Sequence, residues 1–86
     1  MAKYKLFFTD TFYKNLKVIP AKDVKRILSR AKALADDPRP PNSQKLSGHK
    51  EQYRIRQGDY RILYAIEDFR LTVTVVKVGH RREVYD

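Results

Sequence analysis

Arginine is concentrated where the sequence alternates. The segment Tyr53 to Tyr64 reads YRIRQGDYRILY, and Gly58-Asp59 suits a two-residue hairpin turn with glycine first. In that register Gln57 faces Tyr60, Arg56 faces Arg61, Ile55 faces Ile62 and Tyr53 faces Tyr64. Strand side chains alternate across the pleat, so Tyr53, Ile55, Ile62 and Tyr64 cover one side while Arg54, Arg56 and Arg61 share the other. Like charges directly opposed destabilise a strand pair. A sequence shaped for stability alone would not set Arg56 across from Arg61. Planar guanidinium forks match phosphate oxygens, so the cluster points to an anion held between them. The competing reading is neutralisation by Asp59, Glu51 or Glu67 as surface ion pairs. A register displaced by one residue would undo the face assignment.

The C-terminal run Val78 to Tyr85, VGHRREVY, adds candidates. Strict alternation carries His80 onto the arginine face and Arg81 onto the other. A bulge at Gly79 would reset that parity, and counting leaves the two alternatives open. Arg82 adds a further cation for a polyanion, and Tyr85 is an aromatic able to stack on a base. Taken singly, a histidine or a terminal tyrosine is more often structural than functional.

The inventory restricts the chemistry. The chain has no cysteine and two histidines, His49 and His80. Its carboxylates form no metal-holding motif, and neither a glycine-rich phosphate loop nor a nucleophilic serine motif occurs. No cofactor is expected. Such parts still suffice to cleave RNA, whose 2′-hydroxyl already lies beside the scissile phosphate. The protein then has to align that nucleophile, assist proton transfer and stabilise charge building on phosphorus. DNA cleavage needs an external nucleophile and usually a metal, so it fits poorly. His80 has the ordinary pKa range of a neutral-pH acid or base, and Arg81 and Arg82 would disfavour its protonated form until an anion binds. Tyr85 is the other candidate for proton transfer.

These residues need elements to hold them. Tyr4 to Phe8 alternates as a first strand. Thr9 or Asp10 can cap a short helix carrying Phe12, Leu16 and Ile19, which Pro20 ends. Val24, Ile27, Leu28, Ala31, Leu34 and Ala35 recur at helical spacing, with Lys22, Lys25, Arg26, Arg30 and Lys32 on the other faces, until Pro38. Pro38 to Ser43 is a stiff loop, and Gln44 to Lys50 a polar connection. Tyr53 to Gln57, Tyr60 to Glu67 and Leu71 to Val78 read as strands with tight connections. The order β-α-α-β-β-β describes an α+β domain over residues 1–86, two helices packed on one face of a small antiparallel sheet.

Composition agrees. The 86 residues allow one core, and 42% apolar residues suffice to build it. No stretch approaches the length of a membrane span and the N-terminus has no signal-peptide apolar region, so a cytoplasmic protein is expected. Nineteen Lys and Arg against ten Asp and Glu give a formal charge of +9. A field of that sign gathers polyanions.

The order and spacing of the DP at 37–38, KLSG at 45–48, YRIR at 53–56, GDYRILY at 58–64 and VGHRREVY at 78–85 resemble the RelE branch of the RelE/ParE toxin superfamily. The resemblance spans nearly the whole chain. It implies a ribosome-dependent endoribonuclease that cuts mRNA in the ribosomal A site through 2′-hydroxyl attack. It also implies a cognate RelB-like antitoxin, which holds the toxin inactive and alone contacts operator DNA. By motif, Arg54 and Arg56 match two basic positions that are lysines in the best-known member. Arg61 matches the phosphate-binding arginine, Arg81 a basic residue that stabilises the leaving group or phosphate, and Tyr85 the tyrosine that orients the base. Arginine yields a proton less readily than lysine, so Arg54 and Arg56 are expected to act electrostatically. Proton transfer would then fall to His80, to Tyr85 or to ribosomal RNA. The sequence stops just after Tyr85, so the extended C-terminal helix of some relatives is not expected. Two other functions share the features: a ParE-like toxin binding DNA gyrase without cutting RNA, and a plain basic RNA- or protein-binding module.

Overall fold

A computed structural model describes residues 3–46, 48 and 51–80. The elements are β1 (Lys5–Phe8), α1 (Asp10–Leu16), α2 (Ala21–Ala33), β2 (Gln44–Lys45), β3 (Gln52–Gln57), β4 (Tyr60–Glu67) and β5 (Thr72–His80), with a 3₁₀ turn at Asp68–Arg70. The five strands form one sheet in the order β1-β5-β4-β3-β2.

Two features depart from expectation. The polar connection after Ser43 contains β2, a two-residue strand pairing Gln44 with Arg54 and Lys45 with Tyr53. So polar and short a segment has no alternation to reveal it. The sheet is also mixed, because β1 runs parallel to β5. A strand returned to its sheet by way of two helices is free to pair in parallel, whereas β2 to β5 follow one another through short turns and are antiparallel.

Local chemistry explains the helices. Thr9 caps α1, its Oγ1 accepting from the Phe12 N–H, and the same hydroxyl donates to the Val76 carbonyl on β5. Pro20 stands at the N-cap of α2, with Asp23 in the first turn and Arg30 and Lys32 in the last, each charge suited to the helix dipole. The helix stops at Ala33, ahead of the apolar period. The Leu34, Ala35 and Asp36 N–H groups bond three residues back, tightening the chain into a 3₁₀-like turn that still buries Leu34 and Ala35.

Both helices cover one face of the sheet. The core joins Phe12, Ile27, Ala31 and Leu34 to Tyr53, Ile55, Ile62, Tyr64, Ile66, Val73, Val75 and Val78. Each fully buried aliphatic or aromatic side chain contributes about 1.5–3 kcal/mol. Among the described residues, the opposite face carries a small cluster, Leu46 with Leu63.

Beyond the turn at Gly58, a second anchor holds the far end of the sheet. Arg39 forks onto Asp68 at 3.1 and 2.8 Å, donates to the Tyr53 hydroxyl at 3.0 Å and reaches Glu51 at 3.4 Å. Tyr4 donates to the same Asp68 carboxylate at 2.8 Å, tying β1 to the β4–β5 turn. The Arg39 and Tyr4 bonds hold the Asp68 carboxyl down at about 2, while the Asp68 bond raises the Tyr4 phenol above its usual value. Nothing in the sequence singled out Arg39 within its proline-rich loop.

Candidate nucleic-acid interface

The hairpin has the register that its sequence implies. Arg56 pairs with Arg61, Ile55 with Ile62, Tyr53 with Tyr64 and Gln57 with Tyr60. Gly58 takes φ 60°, the conformation that a glycine-first turn requires. Tyr53, Ile55, Ile62 and Tyr64 lie in the core, and this burial fixes the register, because a slip of one residue would turn four apolar side chains outward. The arginines are thereby committed to the other face.

There Arg54, Arg56 and Arg61, with Asn42 and Gln44, line an open depression of about 350 Å³. Gln44 Oε1 accepts from Arg54 Nε at 3.0 Å and Nη2 at 2.7 Å, which ties that guanidinium to β2. Partial burial, followed by the Arg61 and Arg56 charges, shifts the Arg54 guanidinium below the usual arginine pKa. All three causes disfavour the cation, and a bound oxyanion would offset the repulsion from Arg61 and Arg56. On β5, Gly79 stands opposite Arg61, so that no side chain projects from that position of the neighbouring strand.

The carboxylates suspected of neutralising the cluster are engaged or placed elsewhere. Glu51 pairs with Arg39 and Glu67 with Arg70, while Asp59 borders a different depression shared with Arg26 and His80. Asn42 and Gln44 belong to the arginine depression and were not anticipated, since they come from a loop and a strand without periodicity.

His80 takes the other face, one of the two alternatives that counting left open. It pairs with Tyr60 across β4 and β5 and meets that ring edge-on at 6.0 Å, on the helix side of the sheet. The cause is a bulge at Val76, not at Gly79: Leu63 pairs with Lys77 but Tyr64 with Val75, leaving Val76 as the extra residue. The bulge reverses the parity of all that follows on β5, so strict alternation from Val75 assigns His80 to the wrong face. The structure therefore unites Arg54, Arg56 and Arg61 and does not bring His80 to them. Arg81, Arg82 and Tyr85 lie outside the described residues. Among the described residues, no group of three or more His, Cys, Asp or Glu side chains could hold a metal ion, and no helix is long and apolar enough to cross a membrane.

Comparison with known proteins follows the same lines. Residues 6–85 match the family described as the ParE toxin of the type II toxin–antitoxin system parDE. The chain is 36% identical to toxin RelE3 of Methanocaldococcus jannaschii, over 95% of this chain and 96% of that protein. It is 30% identical to toxin RelG of Mycobacterium tuberculosis, over 95% of each. Among solved structures, its fold is similar to the archaeal RelE–RelB complex from Pyrococcus horikoshii, with a TM-score of 0.82 at 25% identity, covering 95% of this chain and 99% of that one. A family match across nearly the whole chain, with RelE-type relatives matched over nearly their whole length and the same fold, identifies the protein as a toxin of the RelE/ParE superfamily of type II toxin–antitoxin systems, of RelE type.

Proposed function

We propose that the protein is an mRNA endoribonuclease acting on the translating ribosome, with Arg54, Arg56 and Arg61 as its phosphate-binding and charge-stabilising groups. The observation carrying this reading is that those three arginines line one open depression, with Arg56 and Arg61 directly opposed. In the proposed reaction the RNA 2′-oxygen bonds to phosphorus as its proton departs, and the bond from phosphorus to the 5′-oxygen breaks as that oxygen gains a proton. The products are a 2′,3′-cyclic phosphate and a 5′-hydroxyl. Arginines aimed at the non-bridging oxygens lower the barrier because charge on them grows toward the transition state.

Proton transfer is assigned to Tyr85 or to ribosomal RNA and not to His80, which faces the helices. Arg81 and Arg82 extend the cationic site in this proposal. Relatives solved as complexes with RelB antitoxins support a cognate antitoxin as the regulating partner; contact with operator DNA through that antitoxin, in the cytoplasm, belongs to the same proposal. The family match to ParE toxins favours one alternative, a toxin that binds DNA gyrase and leaves RNA intact.

Primer extension on mRNA after brief induction tests the proposal. New 5′ ends within translated codons are expected, lost in folded Arg61→Ala and Arg81→Ala variants and reduced less than tenfold in His80→Gln. A general acid or base would contribute roughly 10²–10⁴-fold. Growth arrest with DNA damage and no new ends would transfer the assignment to gyrase.

A further inference from the structure

The solvent side of α2 is the most one-sided surface outside the arginine depression. The apolar side of this helix is spent on the core through Ile27 and Ala31, which leaves Lys22, Lys25, Arg26, Arg30 and Lys32 on its outer half with Asp23 as the only acid. Among the described residues, ion pairs join Arg39 to Glu51 and Asp68 and Arg70 to Glu67, none of them on α2. A helix whose apolar side is buried cannot lay it into a lipid surface, so its cations serve a partner in water.

This stripe is continuous with the arginine depression. The helix lies over the β3 half of the sheet, and Gln57 of β3 closes a groove with Lys25, Arg26, Ser29 and Arg30. Arg30 Nη2 donates at 2.7 Å to Oδ1 of Asn42, and Asn42 lines the arginine depression itself. At that crossing β2 has already ended opposite Arg54, so no strand covers Ile55 to Gln57 from the outside. Cations thus run from one sheet face, around an uncovered edge, and along a 13-residue helix that extends about 20 Å.

We infer that α2 is a second polyanion track, taking the sugar-phosphate backbone of nucleotides that flank the bound phosphate on the same RNA strand. The inference rests on the arginine face being an RNA site. It commits to the flanking strand because the track begins at that site and, among the described residues, no acid lines the crossing from Arg30 through Asn42 to the arginines. Lysines and arginines on a helix face contact phosphates without reading bases, so the track adds affinity and not sequence preference.

The test measures binding of 2′-O-methyl RNA, which lacks the attacking hydroxyl and stays intact, so the result is independent of cleavage. A trinucleotide is compared with a roughly twelve-nucleotide strand of mixed sequence. The wild type is set against Lys22→Gln/Lys25→Gln/Arg26→Gln and against a charge-matched control, Lys5→Gln/Lys14→Gln/Lys17→Gln, which removes three charges from β1 and α1. Glutamine keeps helix propensity close to that of lysine and arginine, and equal melting temperatures establish folding. The wild type is expected to bind the long strand at least about tenfold tighter than the trinucleotide. The α2 variant should lose that gain, and its slope of log affinity against log salt for the long strand should fall by about 2. The control should keep both. Equal losses in the two variants would reduce the effect to net charge and overturn the inference. So would an unchanged gain in the α2 variant, or an α2 variant that weakens binding of a poly-glutamate peptide and leaves RNA alone. Loss of mRNA cutting in the wild type, by contrast, would remove the enzymatic proposal and leave a length gain carried by α2 standing.

Discussion

At the scale of single residues, Arg56 and Arg61 show a site held against the interest of its own fold. Their opposed placement costs strand-pair stability, which a carboxylate could recover. Arg56→Glu is therefore expected to raise stability by about 0.2–1 kcal/mol while abolishing mRNA cutting, as read by thermal melts and primer extension on the same protein. A lower melting temperature in that variant would mean that the two guanidiniums do not repel. Asp68 represents the opposite case, a charge kept for architecture. Its folded pKa of about 2 lies below the ordinary 3.8, so its bonds to Arg39 and Tyr4 stabilise the fold above pH 3.8 and are lost as pH falls through about 2. Asp68→Asn should flatten the acid limb of the stability profile between those values and leave the profile near neutrality shifted but parallel.

At the scale of elements, legibility followed periodicity. The Tyr53–Tyr64 hairpin could be read to the residue because four core side chains and a glycine-first turn agree on one register. Both helices were legible from their apolar spacing, and α1 also from its Thr9 cap. What could not be read was whatever lacked a period: β2, the Arg39 anchor, and the Asn42–Gln44 wall of the depression. The bulge was hidden for another reason. Val75 and Val76 are the same residue type, and neither carries a mark of which one the ladder skips. The device that pins the bulge lies elsewhere in the chain, in the Thr9 hydroxyl that both caps α1 and donates to the Val76 carbonyl. Thr9→Ala should cost about 1–2 kcal/mol from the lost cap alone, and Thr9→Ser should restore most of it, measured by denaturant unfolding.

At the scale of the whole molecule, the ion pairs among the described residues gather at one end of the sheet. The formal charge is +9, yet Glu51, Glu67 and Asp68 gather with Arg39 and Arg70 at the end away from Gly58. The cations of β3, β4 and α2 lie toward the other end, where Asp23 and Asp59 border one depression with Arg26. A molecule polarised in this way is oriented by a polyanion's field before contact. Filling the arginine depression should also relieve repulsion within it. Sulfate is expected to raise the melting temperature more than chloride at matched ionic strength, partly through general exclusion from the surface and partly through this site. The site's share is the part that disappears in Arg61→Ala, and an identical response in that variant would place no anion there.

The extra residue at Val76 has a consequence for how relatives are compared. It acts as a phase marker: residues before it and after it obey opposite parity rules on the same strand. Two superfamily members that differ by one residue between the Thr9-anchored position and His80 would align well in sequence and still present different side chains to the substrate side. Comparison of positions by column is therefore sound for Arg54, Arg56 and Arg61, whose register is locked by the core. Beyond Val76 it holds only between proteins that keep the same irregularity, and an inventory of that one backbone feature should precede any ranking of the superfamily by its C-terminal residues.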